Sequence, residues 1–418
     1  MGFVRNASAL PTLSHTTIQP SDIGIRGPRY NGPMPGGRHF LQVPGPTNVP
    51  FQVTSALATP TIDHRGPQFR ELATDVLQRV KAVFGTTQPV VIYPSSGTGA
   101  WEAALVNTLC PGDRVLAFET GHFATLWSEL ASSLGLRVDL IPGDWRHGVD
   151  PSLIAQRLTE DRNGDIAAVC VVHNETSTGV LSRMADIRSV LDEVDHPALL
   201  MVDTISSLGS APYFHDGWNV DVTIGGSQKG LMLPPGLAFN AVSTRALERA
   251  RSARLQRGYW DWTPMLDANS RGLFPYTPAT NMLFGLQAAL TMLESEGHAN
   301  VYARHERLAS ATRAAVQRWG LELVCSDDRE YSPSLTAVML PEGADADALR
   351  ATILDRFDLS LGAGLGRLAG RVFRIGHLGH IGELELLGTL AGVQAGLQHC
   401  GLEVDPQGIV AAVEVLSR

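Results

Sequence analysis

Lysine is almost missing from this chain. Of 33 basic residues in 418, only Lys81 and Lys229 are lysines. Arginine is therefore the default surface cation, and each lysine needs its own reason. Cysteine is scarce too: Cys110, Cys170, Cys325 and Cys400 lie far apart with no CxxC pair. That excludes a disulfide framework and a thiolate zinc site, and points to a reducing compartment. Thirteen histidines show no HExxH or other ligand spacing, so no metal is expected. No apolar run reaches the roughly 18 residues of a membrane span, and no hydrophobic leader is seen. A cytoplasmic protein is the expectation. A formal charge of −9 argues against a nucleic-acid footprint. What is present, 44% hydrophobic and 18% charged residues, describes a globular chain able to bury a full core.

Residues 1–40 stand apart as an extension rich in Gly and Pro, without periodicity, that is flexible or wraps a partner. From Leu41 onward, strand and helix signals alternate. Pro67 to Phe84 reads as an amphipathic helix and Val90 to Tyr93 as a strand. Gly97 to Leu109 reads as a helix of small residues. Further strands are expected at Val115–Phe118, Leu136–Ile141, Ile166–Val172, Ala198–Val202 and Val220–Ile224. Several lack polar alternation, so both faces are buried, as in a mostly parallel sheet sandwiched by helices. After about residue 280 two long helices, short strands, a glycine-rich loop beyond Phe357 and a closing helix suggest a small α+β unit. The expected organisation is an α/β fold, with a large domain over 41–297 and a small C-terminal domain over 298–418.

Three stretches carry chemistry. Asp221-Val222-Thr223-Ile224-Gly225-Gly226-Ser227-Gln228-Lys229-Gly230 runs a buried strand into a tight turn bearing one of the two lysines. Partial desolvation there would depress the amine pKa and prepare a nucleophile or Schiff-base partner; the plain alternative is a lysine snorkelling from a turn. Ser95-Ser96-Gly97-Thr98-Gly99-Ala100, between strand and helix, suits a phosphate or carboxylate on free backbone N–H groups, or simply a capped turn. Met201-Val202-Asp203-Thr204 ends an apolar strand with a lone carboxylate, where open α/β sheets bind ligands. That acid needs a cationic partner, such as a protonated pyridine nitrogen, unless it is a helix N-cap. His173-Asn174-Glu175-Thr176 and Gly121-His122-Phe123 also follow strands.

Taken in order, these segments resemble the class V, fold-type I pyridoxal-phosphate aminotransferases, near the serine–glyoxylate and alanine–glyoxylate enzymes. The resemblance rests on Val43-Pro44-Gly45-Pro46-Thr47-Asn48-Val49-Pro50, Ser96-Gly97-Thr98-Gly99-Ala100-Trp101-Glu102, His173-Asn174-Glu175-Thr176, Gly226-Ser227-Gln228-Lys229 and Phe373-Arg374-Ile375-Gly376-His377-Leu378-Gly379. It spans about residues 40 to 400.

The resemblance implies a large domain with a seven-stranded-type sheet and pyridoxal 5′-phosphate as cofactor. It implies Lys229 as the Schiff-base and proton-carrying lysine and Asp203 as the partner of the pyridine nitrogen. Ser96, Gly97, Thr98 and Gln228 are implied at the phosphate, Thr176 at the phenolic oxygen and Phe123 on the ring face, where many relatives have tryptophan. Arg374 and Gly45 are implied at the substrate; without the resemblance Arg374 reads as a surface charge at a strand end. Tyr276 and Thr277 resemble the segment that completes a neighbouring subunit's phosphate site, which implies a homodimer with shared active sites, or a tetramer of such dimers. The expected reaction passes an amino group from serine, or from aspartate or alanine, to glyoxylate. A cysteine desulfurase-like lyase is the distant alternative: Cys325 falls in the right part of the chain, but it ends a strand-like run, Leu323-Val324-Cys325, without a Gly/Ser-rich surround.

Overall fold

The computed structural model describes residues 37–418; the expectation for the N-terminal extension lies, over residues 1–36, outside the described residues. The strands in chain order are β1 (Phe40–Gln42), β2 (Val90–Tyr93), β3 (Arg114–Phe118), β4 (Arg137–Ile141), β5 (Ile166–Val172), β6 (Asn174–Glu175) and β7 (Val180–Leu181). Then come β8 (Leu199–Asp203), β9 (Val222–Gly226), β10 (Ala238–Val242), β11 (Glu322–Leu323), β12 (Leu335–Met339), β13 (Leu359–Ala363) and β14 (Val372–Gly376). Seven of them form one sheet in the order β2-β10-β9-β8-β5-β3-β4. All its neighbours run parallel except β10, which is antiparallel to both β2 and β9. Every residue of β5, β8 and β9 is buried, as expected of strands covered on both faces.

The antiparallel β10 is a strand that the sequence reading did not separate. A parallel neighbour needs a long crossover, whereas an antiparallel one can be reached by a short link. Residues 227–237 are that link, and Lys229 lies on it. Helices cover the sheet: Pro67–Phe84 buries Phe69, Leu72, Val76, Val80 and Val83, while Gly97–Thr108 is buried along most of its length. Its small residues let it lie close to the strands.

The second sheet has the order β1-β13-β14-β12-β11. Three features differ from the sequence reading. The stretch after Phe357, expected as a glycine-rich loop, contains β13. Its Leu-Ser-Leu-Gly-Ala sequence has no β-branched residue and so little strand signal. Phe40–Gln42 does not open the large domain; it pairs in parallel with Leu359–Leu361 at the edge of this smaller sheet. The single closing helix is two, Glu383–His399 and Gly408–Leu416. Among the described residues no helix is long and apolar enough to cross a membrane, and no cluster of His, Cys, Asp and Glu could hold a metal.

Candidate active site

The carboxyl ends of β5, β8 and β9 and the N-terminus of helix Gly97–Thr108 surround a cavity of about 240 Å³. Its walls include Gly45, Ser96, Gly97, Thr98, Phe123, Thr176, Asp203, Gln228 and Lys229. Nine residues singled out from sequence therefore meet in one place, from segments spread over 185 positions. This is the strand-end crevice in which open α/β sheets bind ligands.

Asp203 is the last residue of β8 and is 4% exposed. Its Oδ1 accepts from the backbone N–H of Ile205 at 2.7 Å, and its Oδ2 from the Trp101 indole Nε1 at 2.8 Å. Burial pushes its pKa up to about 7 despite those two donors, because the charged form loses its hydration. A cationic ring nitrogen would reverse that shift. The N-cap alternative fails, because a turn and not a helix follows Asp203; its bond from Ile205 closes that turn.

Lys229 is 8% exposed, and its Nζ donates to the carbonyl oxygen of Pro44. Burial, and then the charge of Arg374, lower its pKa to about 7, against the opposing pull of Asp203. The amine is thus readily deprotonated near neutrality, the property that distinguishes it from arginine. Lys81, by contrast, reaches from an exposed helix end to the carbonyl of Thr87. Gly45 adopts φ +100°, and a Cβ there would overlap the Lys229 side chain. The glycine is what lets the 44–46 segment close over the lysine.

The phosphate-type cradle is formed at the start of helix Gly97–Thr108. Ser96 occupies the N-cap position, yet its side chain makes no capping bond. A Cβ on Gly97 would overlap Ile205, so glycine keeps the backbone near the strand-end residues. The cavity fits pyridoxal phosphate: an amine and a carboxylate share its wall, and hydroxyls stand at a helix start. Two lining residues, Asn174 and Gln228, also leave buried side-chain oxygens without a partner.

Thr176 Oγ1 donates to Ser206 Oγ at 2.8 Å, and Asn174 Nδ2 donates to the same oxygen at 2.8 Å. Phe123 lies in the first turn of helix His122–Ser133. Arg374, on β14, is not in the cavity wall itself. It is 7% exposed, and donates from Nε to Ala363 O and from Nη1 to Thr176 O, both at 2.7 Å. The guanidinium is tethered beside Thr176 rather than lying on the surface.

Tyr276 and Thr277 do not line this cavity; Tyr276 stacks on Tyr259 at 4.3 Å and Thr277 is exposed. Cys325 is buried, makes contacts with the carbonyls of Asp327 and Glu330, and is not a cavity residue. Its thiol pKa is driven up to about 12 by burial, opposite to what a nucleophilic cysteine needs. The sequence reading missed Trp101, Asn174, Ile205 and Ser206. Trp101 and Asn174 lay inside quoted motifs, but only the folded strand ends show which atoms they meet.

The family described as aminotransferase class-V matches residues 46–366. A serine–glyoxylate aminotransferase of Methylorubrum extorquens is 46% identical over 382 residues, covering 90% of this chain and 95% of that protein. An L-aspartate–glyoxylate aminotransferase of Paracoccus denitrificans is 43% identical over 374 residues, covering 89% and 94%. Among solved structures, pyridoxamine–pyruvate aminotransferase from Mesorhizobium loti aligns with a TM-score of 0.87 at 27% identity, covering 92% of this chain and 99% of that one.

Proposed function

The chain belongs to the class-V aminotransferases and is a pyridoxal-phosphate enzyme, and from that premise we propose that it transfers the amino group of serine to glyoxylate, giving hydroxypyruvate and glycine. The observation carrying this reading is the pairing of a depressed-pKa Lys229 with a buried Asp203 in one cavity, beside the tethered Arg374.

Bound pyridoxal phosphate supplies an electron sink for negative charge at the substrate α-carbon. Ser96, Gly97, Thr98 and Gln228 hold its phosphate, Thr176 its phenolic oxygen, and Asp203 its protonated ring nitrogen. Phe123 covers one ring face. Lys229 Nζ takes the α-proton and returns it at the other end of the transfer, which its lowered pKa allows near pH 7. Arg374 binds the α-carboxylate that donor and acceptor share, with the N–H groups left free by Ala363 and Thr176. Gly45, in the cavity wall against Lys229, would lie beside the donor.

Serine is favoured because, among the described residues, Lys229 is the one cation in the cavity wall and Arg374, tethered beside Thr176, is taken by the α-carboxylate that every donor shares. Among the described residues the cavity wall offers no second arginine for aspartate's distal carboxylate, and Arg65, which stands beside Asp63 and His64, is exposed and off that wall. The aspartate–glyoxylate relative supports the second reading, in which a neighbouring subunit supplies that cation. A homodimer is part of this proposal. Thr277 stands exposed away from its own cavity, and Phe51, at 81% exposure, leaves an aromatic face uncovered. Four free cysteines suit a cytoplasmic setting.

The test is a panel of serine, alanine and aspartate against glyoxylate and pyruvate. Serine with glyoxylate should give the highest kcat/KM. An aspartate value higher by about tenfold, or roughly 1.4 kcal/mol of transition-state binding, overturns the donor assignment. Borohydride treatment of the holoenzyme should fix the cofactor on the Lys229 peptide; label on Lys81 overturns the site.

A further inference from the structure

Glu175 is completely buried and is not among the cavity-lining residues, yet it is tied to two residues that the proposed function uses. Its Oε1 accepts from Phe123 N at 3.4 Å, Ser177 N at 3.0 Å and Ser177 Oγ at 2.7 Å, and its Oε2 from Ala124 N at 3.1 Å. Ser177 Oγ in turn accepts from His122 N at 3.0 Å. Glu175 and Ser177 thus satisfy the first three N–H groups of helix His122–Ser133, donors that a helix cannot satisfy itself. A buried negative charge at that end is also favoured by the helix dipole. Gly121 belongs to the arrangement, since a Cβ there would overlap Glu175 Cγ.

On the other side, the neighbouring Thr176 gives its carbonyl to Arg374 Nη1. Arg374 has no carboxylate within 4.0 Å among the described residues, so its charge needs compensation at longer range. Glu175 is the carboxylate whose field favours the Arg374 cation, while Arg350 opposes it and burial costs it most.

We propose that Glu175 is a positioning residue with two separable duties: its oxygens hold the Phe123-bearing helix against the cofactor ring, and its charge offsets the cost of keeping the Arg374 cation buried in place for the substrate carboxylate. The second duty rests on the transaminase reading given above. The two duties call for different properties of the side chain, geometry for one and charge for the other. Glu175→Gln removes the charge and keeps an oxygen at full reach. Glu175→Asp keeps the charge and falls one methylene short of Phe123 and Ala124.

Both variants are compared with the wild type as purified holoenzyme, reading KM for donor and for glyoxylate, the cofactor dissociation constant, and the visible circular dichroism of bound cofactor. Glu175→Gln should raise both KM values together by about tenfold with a smaller change in kcat, as loss of uniform carboxylate binding does. Glu175→Asp should weaken and alter the cofactor dichroism while its KM values stay nearer wild type. Two variants with the same profile overturn the proposal, whether both are wild-type per mole of holoenzyme or both lose only thermal stability. If one variant fails to fold, Ser177→Ala, which removes one of the four donors to Glu175, replaces it and should shift the dichroism without moving KM; unchanged dichroism then overturns the helix-holding duty. A wild type without transaminase activity counts against the proposed function instead, and the dichroism still decides the role of Glu175 toward Phe123.

Discussion

Trp101 and Asp203 are 102 residues apart in the chain, and the indole Nε1 of one donates to Oδ2 of the other at 2.8 Å. The indole is itself held in place, stacked on Trp127 with ring centroids 5.9 Å apart and planes 12° from parallel. A buried carboxylate with a fixed donor on each oxygen cannot swing away from whatever it faces. That is the property needed of a group that holds a proton on a ring nitrogen.

Trp101→Phe should preserve the packing and remove that donor. A hydrogen bond to a charged group contributes about 1.5–3 kcal/mol, so the Asp203 pKa should move further above its usual range. The expected result is cofactor binding weakened by about tenfold or more, with the fold retained. Equilibrium dialysis of the cofactor measures it, and unchanged affinity would show that Asp203 needs no help.

The apoprotein should carry a pH signature from Lys229. Its folded pKa lies below the unfolded value, so its contribution to stability is full above about pH 10.5 and is lost as pH falls towards 7. Asp203 acts in the other sense: its folded pKa is raised, so stability falls as pH climbs from about 4 to 7. Replacing the lysine by methionine removes the first effect and, by taking a positive charge away from Asp203, strengthens the second, which narrows the gap further as pH rises. Apo Lys229→Met should therefore melt above apo wild type at pH 7, with the gap closing towards pH 10. Thermal scans at several pH values check this, and a gap independent of pH contradicts it.

Gly45→Ala should damage the site from outside the chemistry. Its φ of +100° disfavours any side chain, and the new methyl would meet the Lys229 chain. Backbone strain of this kind costs of order 1–3 kcal/mol. The expectation is a lowered melting temperature and a kcat reduced by about a hundredfold, since small displacements of reacting groups are expensive. A variant with normal kcat would mean that the 44–46 segment moves freely during turnover.

Thr277 offers a test of sharing between subunits. Thr277→Glu would place a carboxylate beside the phosphate of the neighbouring site and prevent its binding. Co-expression with Lys229→Ala should restore roughly a quarter of wild-type activity, because random pairing gives half heterodimers, each with one intact site. If the mixture stays inactive although Thr277→Glu alone is dead, the residue serves its own subunit. Sedimentation of a fully active monomer would reject the shared site altogether.

Much of the fold was legible because it rests on local signals. The unbroken apolar runs of β5 and β8 mark strands covered on both faces, and the amphipathic spacing of Pro67–Phe84 marks a helix with one buried side. β13 was hidden, since Leu359–Ala363 is short and glycine-bearing and is held by pairing with β1 and β14 rather than by its own preference. β10 was hidden because Ala238–Val242 is only five residues, interrupted by Asn240, and does not declare the direction in which it will pair.

For the site, the sequence by itself determined the residue types and their order: a lone lysine after Gly-Gly, an acid closing an apolar strand, and hydroxyls and glycines at a helix start. Those follow from local chemistry, and a strand-end position in an α/β sheet already faces the crevice. Only the tertiary structure decided which atoms meet. Pro44 O lies against Lys229 across 185 residues, Trp101 under Asp203 across 102, and Glu175 against Ala124 across 51. Such contacts join segments that no periodicity relates. They exist because packing the sheet brings its carboxyl ends together, and there an unpartnered buried polar atom is costly, so most of them find a partner.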